Sequence, residues 1–143
     1  MASQTNAPIA PKRLEQIATD VCNSIFEGVE AYDHSKTGQW NEAIIQKTLK
    51  AVLSEATPEG AQAPAYKFAI NSTVVQHVVP NSQLNKAGST TADSDAKKQA
   101  GRRGMHSATG GYWNEKTDGM WSFKYDGEAK GLDVVIMLIW IAV

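Results

Sequence analysis

Apolar residues in the first part of the chain recur at helical spacing. Leu14, Ile17, Val21, Ile25 and Val29 follow at intervals of three, four, four and four, and Ala18 and Cys22 widen the stripe. This pattern predicts an amphipathic helix with one buried face. It begins at Pro11, a favoured first helical residue, and stops between Gly28 and Tyr32. Residues 1–10 read as a polar, flexible arm. The turn "DHSKTGQW" offers Ser35 or Thr37 as the cap of a second helix. There Trp40, Ile44, Ile45, Thr48, Leu49 and Val52 repeat up to about Leu53. "SEATPEGAQAPA" ends the pattern with two prolines and a glycine. Helices joined by so short a turn tend to pack as antiparallel neighbours.

From Tyr66 the period changes to two. Tyr66, Phe68, Ile70, Val74 and Val78 share one face of "YKFAINSTVVQHVV". Lys67, Asn71, Thr73 and His77 share the other, interrupted by Ala69, Val75 and Val79. A long strand with one dry side follows. Residues 80–104 carry Leu84 as their only sizeable apolar residue, among Ser, Thr, Lys, Gly, Ala and Asn. So little apolar surface does not offset the entropy of ordering, and a disordered insertion is expected, its basic end (Lys97, Lys98, Arg102, Arg103) solvated.

Three further strands are expected over 105–113, 120–125 and 132–143. Their connections, "NEKTDG" and "DGEAKG", each contain Asp-Gly, a hairpin signal because glycine accepts positive φ. The last strand lacks polar alternation after Asp133, which places it centrally, covered on both faces. Two helices followed by four strands argue for an α+β fold: an antiparallel sheet with both helices on one face. Residues 11–143 then form a single domain.

Composition narrows the function more than it names it. Fourteen basic residues against fifteen acidic ones provide no global basic field for nucleic acid. Near-neutral charge gives little protection against self-association. The single cysteine, Cys22, excludes an intramolecular disulfide and a multi-cysteine zinc site, and its place on the apolar stripe makes it a core residue. The N-terminus lacks the apolar segment of a secretory signal, and the apolar run "VVIMLIWIAV" is too short to span a bilayer. A soluble, reducing, intracellular setting is expected, without membrane insertion.

A catalytic site is not legible. His34, His77 and His106 have no partner at ligand spacing, so no metal site is expected. His106 and Ser107 are adjacent on one expected strand and point to opposite faces, which forbids a Ser-His-Asp arrangement with Asp118. No phosphate-binding loop and no paired carboxylates appear, so neither an enzyme nor a cofactor is expected. The strand "MWSFKYD" instead alternates Trp121, Phe123 and Tyr125 with Met120, Ser122 and Lys124. Aromatics on a strand near a sheet edge suit a peptide-binding or dimer surface.

Two blocks carry a resemblance. "AYDHSKTGQWNEAIIQKTLKAVL" holds Tyr32, His34, Lys36, Trp40, Gln46, Leu49 and either Val52 or Leu53. "GMHSATGGYWNEKTDGMWSFKYD" holds Gly104, His106, Ala108, Tyr112, Trp113, Thr117, Asp118 and Gly119. In order and spacing these resemble the Tctex-type light chains of cytoplasmic dynein, over residues 11–79 and 104–143. The resemblance implies a non-enzymatic, strand-exchanged homodimer in the cytoplasm, associated with microtubules through the motor. It would bind an extended segment of the dynein intermediate chain, and cargo-linked peptides, by strand addition. The edge implied is Met120, Trp121, Ser122, Phe123, Lys124 and Tyr125. The dimer would form around Met105, His106, Ser107, Ala108, Thr109, Tyr112 and Trp113. The alternative is a Tctex-like peptide-binding adaptor or scaffold acting independently of the motor. Two features depart from the family pattern: the insertion stands where the family has a short loop, and the last strand is bulkier.

Overall fold

The structure, a computed structural model, describes residues 6–77 and 106–143. The expected insertion at 80–104 and Met105, Val78 and Val79 lie outside the described residues. Helix α1 spans Pro11–Phe26 with Pro11 in its first turn. The Ala10 carbonyl accepts the N–H groups of Arg13 and Leu14. Its buried stripe is Leu14, Ile17, Ala18, Val21, Cys22 and Phe26. The helix stops just before Gly28, whose φ of 79° turns the chain away.

Helix α2 spans Thr37–Ala56, three residues beyond the expected end at Leu53. A single 3₁₀ turn, His34–Lys36, precedes it. Neither Ser35 nor Thr37 caps α2, whose N-cap is Lys36 with no side-chain bond; Asp33 caps the 3₁₀ turn instead, its Oδ1 accepting the Ser35 N–H at 3.0 Å and the Ser35 hydroxyl at 2.6 Å. Thr37 instead donates its hydroxyl to the His34 carbonyl. These bonds to Ser35 hold the Asp33 carboxyl below its ordinary range. The helices run antiparallel. Arg13 near the start of α1 pairs with Glu55 near the end of α2, and Phe26 meets Trp40 edge-on at 5.2 Å at the opposite end. Val52 is fully buried and Leu53 is 39% exposed, so Val52 holds the core position.

The sheet contains β1 (Tyr66–Gln76), β2 (Gly119–Gly127) and β3 (Leu132–Ala142), in the order β1-β3-β2, all antiparallel. β3 is central, as its continuous apolar run requires. Register places Phe68, Trp140 and Gly119 in one row, then Ile70, Leu138 and Trp121, then Ser72, Ile136 and Phe123. These rows form the face under the helices. One cluster joins Ala18, Cys22, Phe26, Trp40, Ile44, Leu132, Val134 and Ile136. A second joins Ile9, Leu14, Val52, Leu138 and Trp140. Ile9, from the second half of the arm expected to be flexible, is therefore core.

The architecture is α+β as expected, but the described sheet has three strands rather than four. Residues 106–113 form no strand. The anticipated hairpin between 105–113 and 120–125 needs positive φ in its tight turn, and Gly119 does not have it. Residues 114–118 make a compact turn in which the Asn114 carbonyl accepts both Thr117 N–H and Asp118 N–H. The connection from β2 to β3 is likewise a 3₁₀ turn, Glu128–Lys130, and its positive φ falls on Gly131 at 74°. Gly119 and Gly127 serve another purpose. A Cβ at Gly119 would stand 2.7 Å from the Trp140 ring, and one at Gly127 2.6 Å from the Leu132 carbonyl oxygen. Both are glycine because neighbouring groups lie against the backbone.

Candidate partner-binding edge

β2 pairs with β3 along one edge and, among the described residues, with no strand along the other. Met120, Trp121, Ser122, Phe123, Lys124 and Tyr125 occupy this strand. Trp121, Phe123 and Tyr125 point to the helix side and are half-buried. The Trp121 and Phe123 rings stack 5.7 Å apart and nearly parallel, at 8°. Tyr125 stacks on Phe26 at 6.0 Å and donates its hydroxyl to Asn23 Oδ1 at 2.9 Å. Burial raises the Tyr125 phenol above its ordinary value, and Cys22 and Asp126 add to it. The three rings thus pack the edge strand against the core under the helices, Tyr125 directly on α1.

Among the described residues, no helix lies on the opposite face of the sheet. Register sets Met120 beside Ile139, Ser122 beside Met137 and Lys124 beside Val135. Exposure grows along it: Asp133 and Val135 are buried, Met137 and Ile139 half-buried, and Ile141 is 41% exposed. β3 is thus fully covered only on its helix side and at one end of the other face. Residues 106–113 run beside that face. Thr109 donates its hydroxyl to the Met137 sulfur at 3.7 Å. Ser107 lines a small cavity of about 120 Å³ with Ser122, Phe123, Lys124 and Val135. His106, Ser107 and Ala108 are exposed, and Tyr112 is fully so at 110%. Trp113 is half-buried. Ser107 and Thr109 therefore meet the middle of β2 and β3 on this face.

The turn between residues 106–113 and β2 is built around Asp118, which is buried. Its Oδ1 accepts Ala142 N–H at 2.7 Å and the Thr117 hydroxyl, and its Oδ2 accepts Asn114 N–H at 2.9 Å. The bond from Ala142, then that from Asn114, holds its carboxyl below the ordinary range, outweighing desolvation. Both carboxylate oxygens are committed to the turn and to the end of β3. His106 and Ser107 lie in an exposed stretch apart from it.

A second polar centre escaped the sequence reading. His77, expected on the polar face of its strand, is buried there, with Nε2 2.8 Å from Asp133 Oδ2. Asp133 Oδ1 accepts Gly127 N–H at 3.3 Å, and Lys124 Nζ lies 3.6 Å from Oδ2. The group ties the ends of all three strands together. Asp133 was visible as the polar residue that opens the apolar run, but its partner is 56 residues away.

The first resembling block builds the lead-in to α2. Tyr32 and His34 Nδ1 share a hydrogen bond at 2.8 Å, and the Tyr32 ring packs against Trp40. With Gly28, Val29 and Gln76 they line an open cleft of about 710 Å³. Among the described residues no group of His, Cys, Asp and Glu is placed to hold a metal ion, and no helix is long and apolar enough to cross a membrane.

The model of the Tctex-1 family matches residues 8–141. The chain is 30% identical over 138 residues to a dynein light chain Tctex-type of Schizosaccharomyces pombe (strain 972 / ATCC 24843), covering 96% of this chain and 99% of the relative. It is 24% identical over 118 residues to a dynein light chain Tctex-type of Drosophila melanogaster, covering 78% and 79%. The matched span takes in both helices, all three strands and the turn around Asp118. This chain belongs to the Tctex-1 family.

Proposed function

We propose that this chain is a non-catalytic light chain of the cytoplasmic dynein motor. It acts as a homodimer that binds an extended segment of the dynein intermediate chain, and cargo-linked peptides, by strand addition. The observation that carries the reading is the edge of β2, unpaired among the described residues, with residues 106–113 beside it and strandless. Backbone N–H and C=O groups on such an edge recruit another strand. The half-covered apolar face around Met137, Ile139 and Ile141 supports a second copy as the first claimant, because such a face gains from being buried. The names of the relatives support the motor as the setting.

Among the described residues β2 has one free edge, so an exchanged strand and a target peptide cannot both pair with it directly. The exchanged residues Met105, His106, Ser107, Ala108, Thr109, Tyr112 and Trp113 extend the sheet first. The target strand follows on that extension, with Met120 to Tyr125 as the platform. Two such platforms on one dimer hold two copies of a partner at raised effective concentration. The cytoplasm, on microtubules, is the place of action in this account.

An amide-resolved NMR titration of the full chain with a synthetic intermediate-chain segment tests this. Saturable shifts centred on residues 106–125 support it. Shifts confined to the helices, or no saturable change, count against it. Capture of a different peptide with no motor subunit would favour the adaptor that acts independently of the motor.

A further inference from the structure

The N-terminal arm makes contacts that stability of the core alone does not call for. Asn6 commits its whole amide to one place. Its Nδ2 donates to the Asp118 carbonyl at 2.9 Å and to the Glu115 carbonyl at 3.1 Å. Its Oδ1 accepts the Trp140 indole N–H at 3.1 Å. Gly119 leaves the room for this: a Cβ there would stand 3.0 Å from Asn6 Oδ1 and 2.7 Å from the Trp140 ring. Ile9, 6% exposed, anchors the arm in the second core cluster. From the other side, Asp118 holds Ala142 N–H. Both ends of the chain therefore converge on the turn that joins residues 106–113 to β2.

We propose that Asn6 is a positioning residue that latches this turn, fixing the direction in which residues 106–113 leave the domain and restraining their transfer between protomers. A turn between an exchanging segment and its domain is a hinge, and hinge geometry decides between exchange and folding back. Asn6 acts on the hinge and not on the exchanged strand. The consequence for transfer rests on the homodimer reading; the latch on the turn does not. With the latch open, the two hydrogen bonds from Asn6 Nδ2 to the turn are lost, enough for about a tenfold or greater rise in opening.

The experiment compares wild type with Asn6→Ala, Asn6→Asp and Gly119→Ala in the full chain. Asn6→Asp keeps an acceptor for Trp140 and loses both donors to the turn. Ile44→Val, on α2 in the other core cluster, is the control for general loss of stability. Native-state hydrogen exchange reads the amides of residues 114–119, and mixing of donor- and acceptor-labelled protein reads subunit exchange. We expect all three latch variants to speed both processes about tenfold or more, with Ile44→Val lowering the Tm and leaving both near wild type. Wild-type amide exchange in the Asn6 variants overturns the latch, and so does an equal effect of Ile44→Val. Faster amide exchange with unchanged subunit exchange overturns the control of transfer. A wild-type chain that is monomeric removes the homodimer reading and with it that control, and the amide measurement still decides the latch.

Discussion

The carboxylate of Asp118 accepts the backbone N–H of Ala142 at 2.7 Å, so the turn entering β2 is fastened to the last residue of β3. Because this bond and that from Asn114 lower the Asp118 pKa in the folded state, its contribution is present above the unfolded value of about 3.9. It is lost as pH falls through the depressed folded value. Asp118→Asn should therefore lower the Tm at neutral pH and make its fall between about pH 5 and 2 shallower than in wild type. Asp33, also depressed, should keep some acid sensitivity in the variant. Thermal unfolding followed by circular dichroism against pH checks both.

Cys22 is fully buried, and burial pushes its thiol up to about 12. The thiolate is the reactive form, so the native chain should not react with a thiol reagent at pH 8. Full reaction should appear only in denaturant. A colorimetric thiol titration with and without urea reads this directly.

His77 and Asp133 bury an ion pair or a hydrogen bond between two strand ends, 2.8 Å apart. Removing one partner leaves the other buried without its match, at a cost of about 3–5 kcal/mol. His77→Ala should lower the urea midpoint by a correspondingly large step. Lys124→Ala, whose ammonium is exposed and 3.6 Å from the carboxylate, should change it little.

Phe26 meets Trp40 edge-on and stacks on Tyr125. Phe26→Ala should cost about 3–5 kcal/mol, and Tyr125→Phe, which loses one exposed hydrogen bond to Asn23, about 1 kcal/mol or less. Urea unfolding of the two variants gives the comparison.

Much of this was written in local spacing. Leu14, Ile17, Val21 and Ile25 could share a face only on a helix, and Val134, Ile136, Leu138 and Trp140 only on a strand. The family resemblance rested on residues that the fold uses: Trp40 in the core, Asp118 in the turn, and Tyr32 with His34 at the lead-in to α2. What was not legible depended on distant partners. The Asp-Gly at 118–119 looked like a hairpin turn because nothing nearby reveals that Ala142 and Asn6 occupy it. His77 looked like a solvent-facing residue because its carboxylate comes from β3. Residues 106–113 were expected as a strand before a hairpin turn, yet the turn at 114–118, closed by the Asn114 carbonyl and the Asp118 carboxylate, is not that hairpin. Trp121, Phe123 and Tyr125 were expected to present a surface, and they also brace the edge strand on α1.

The central claim is that this chain is a homodimer presenting two strand-addition platforms. Sedimentation equilibrium of the purified full chain, alone and with a synthetic extended segment of the intermediate chain, tests it most directly. The account predicts twice the chain mass alone and a complex of two chains with two segments. A chain that sediments at its single mass and leaves the segment free in solution would contradict it.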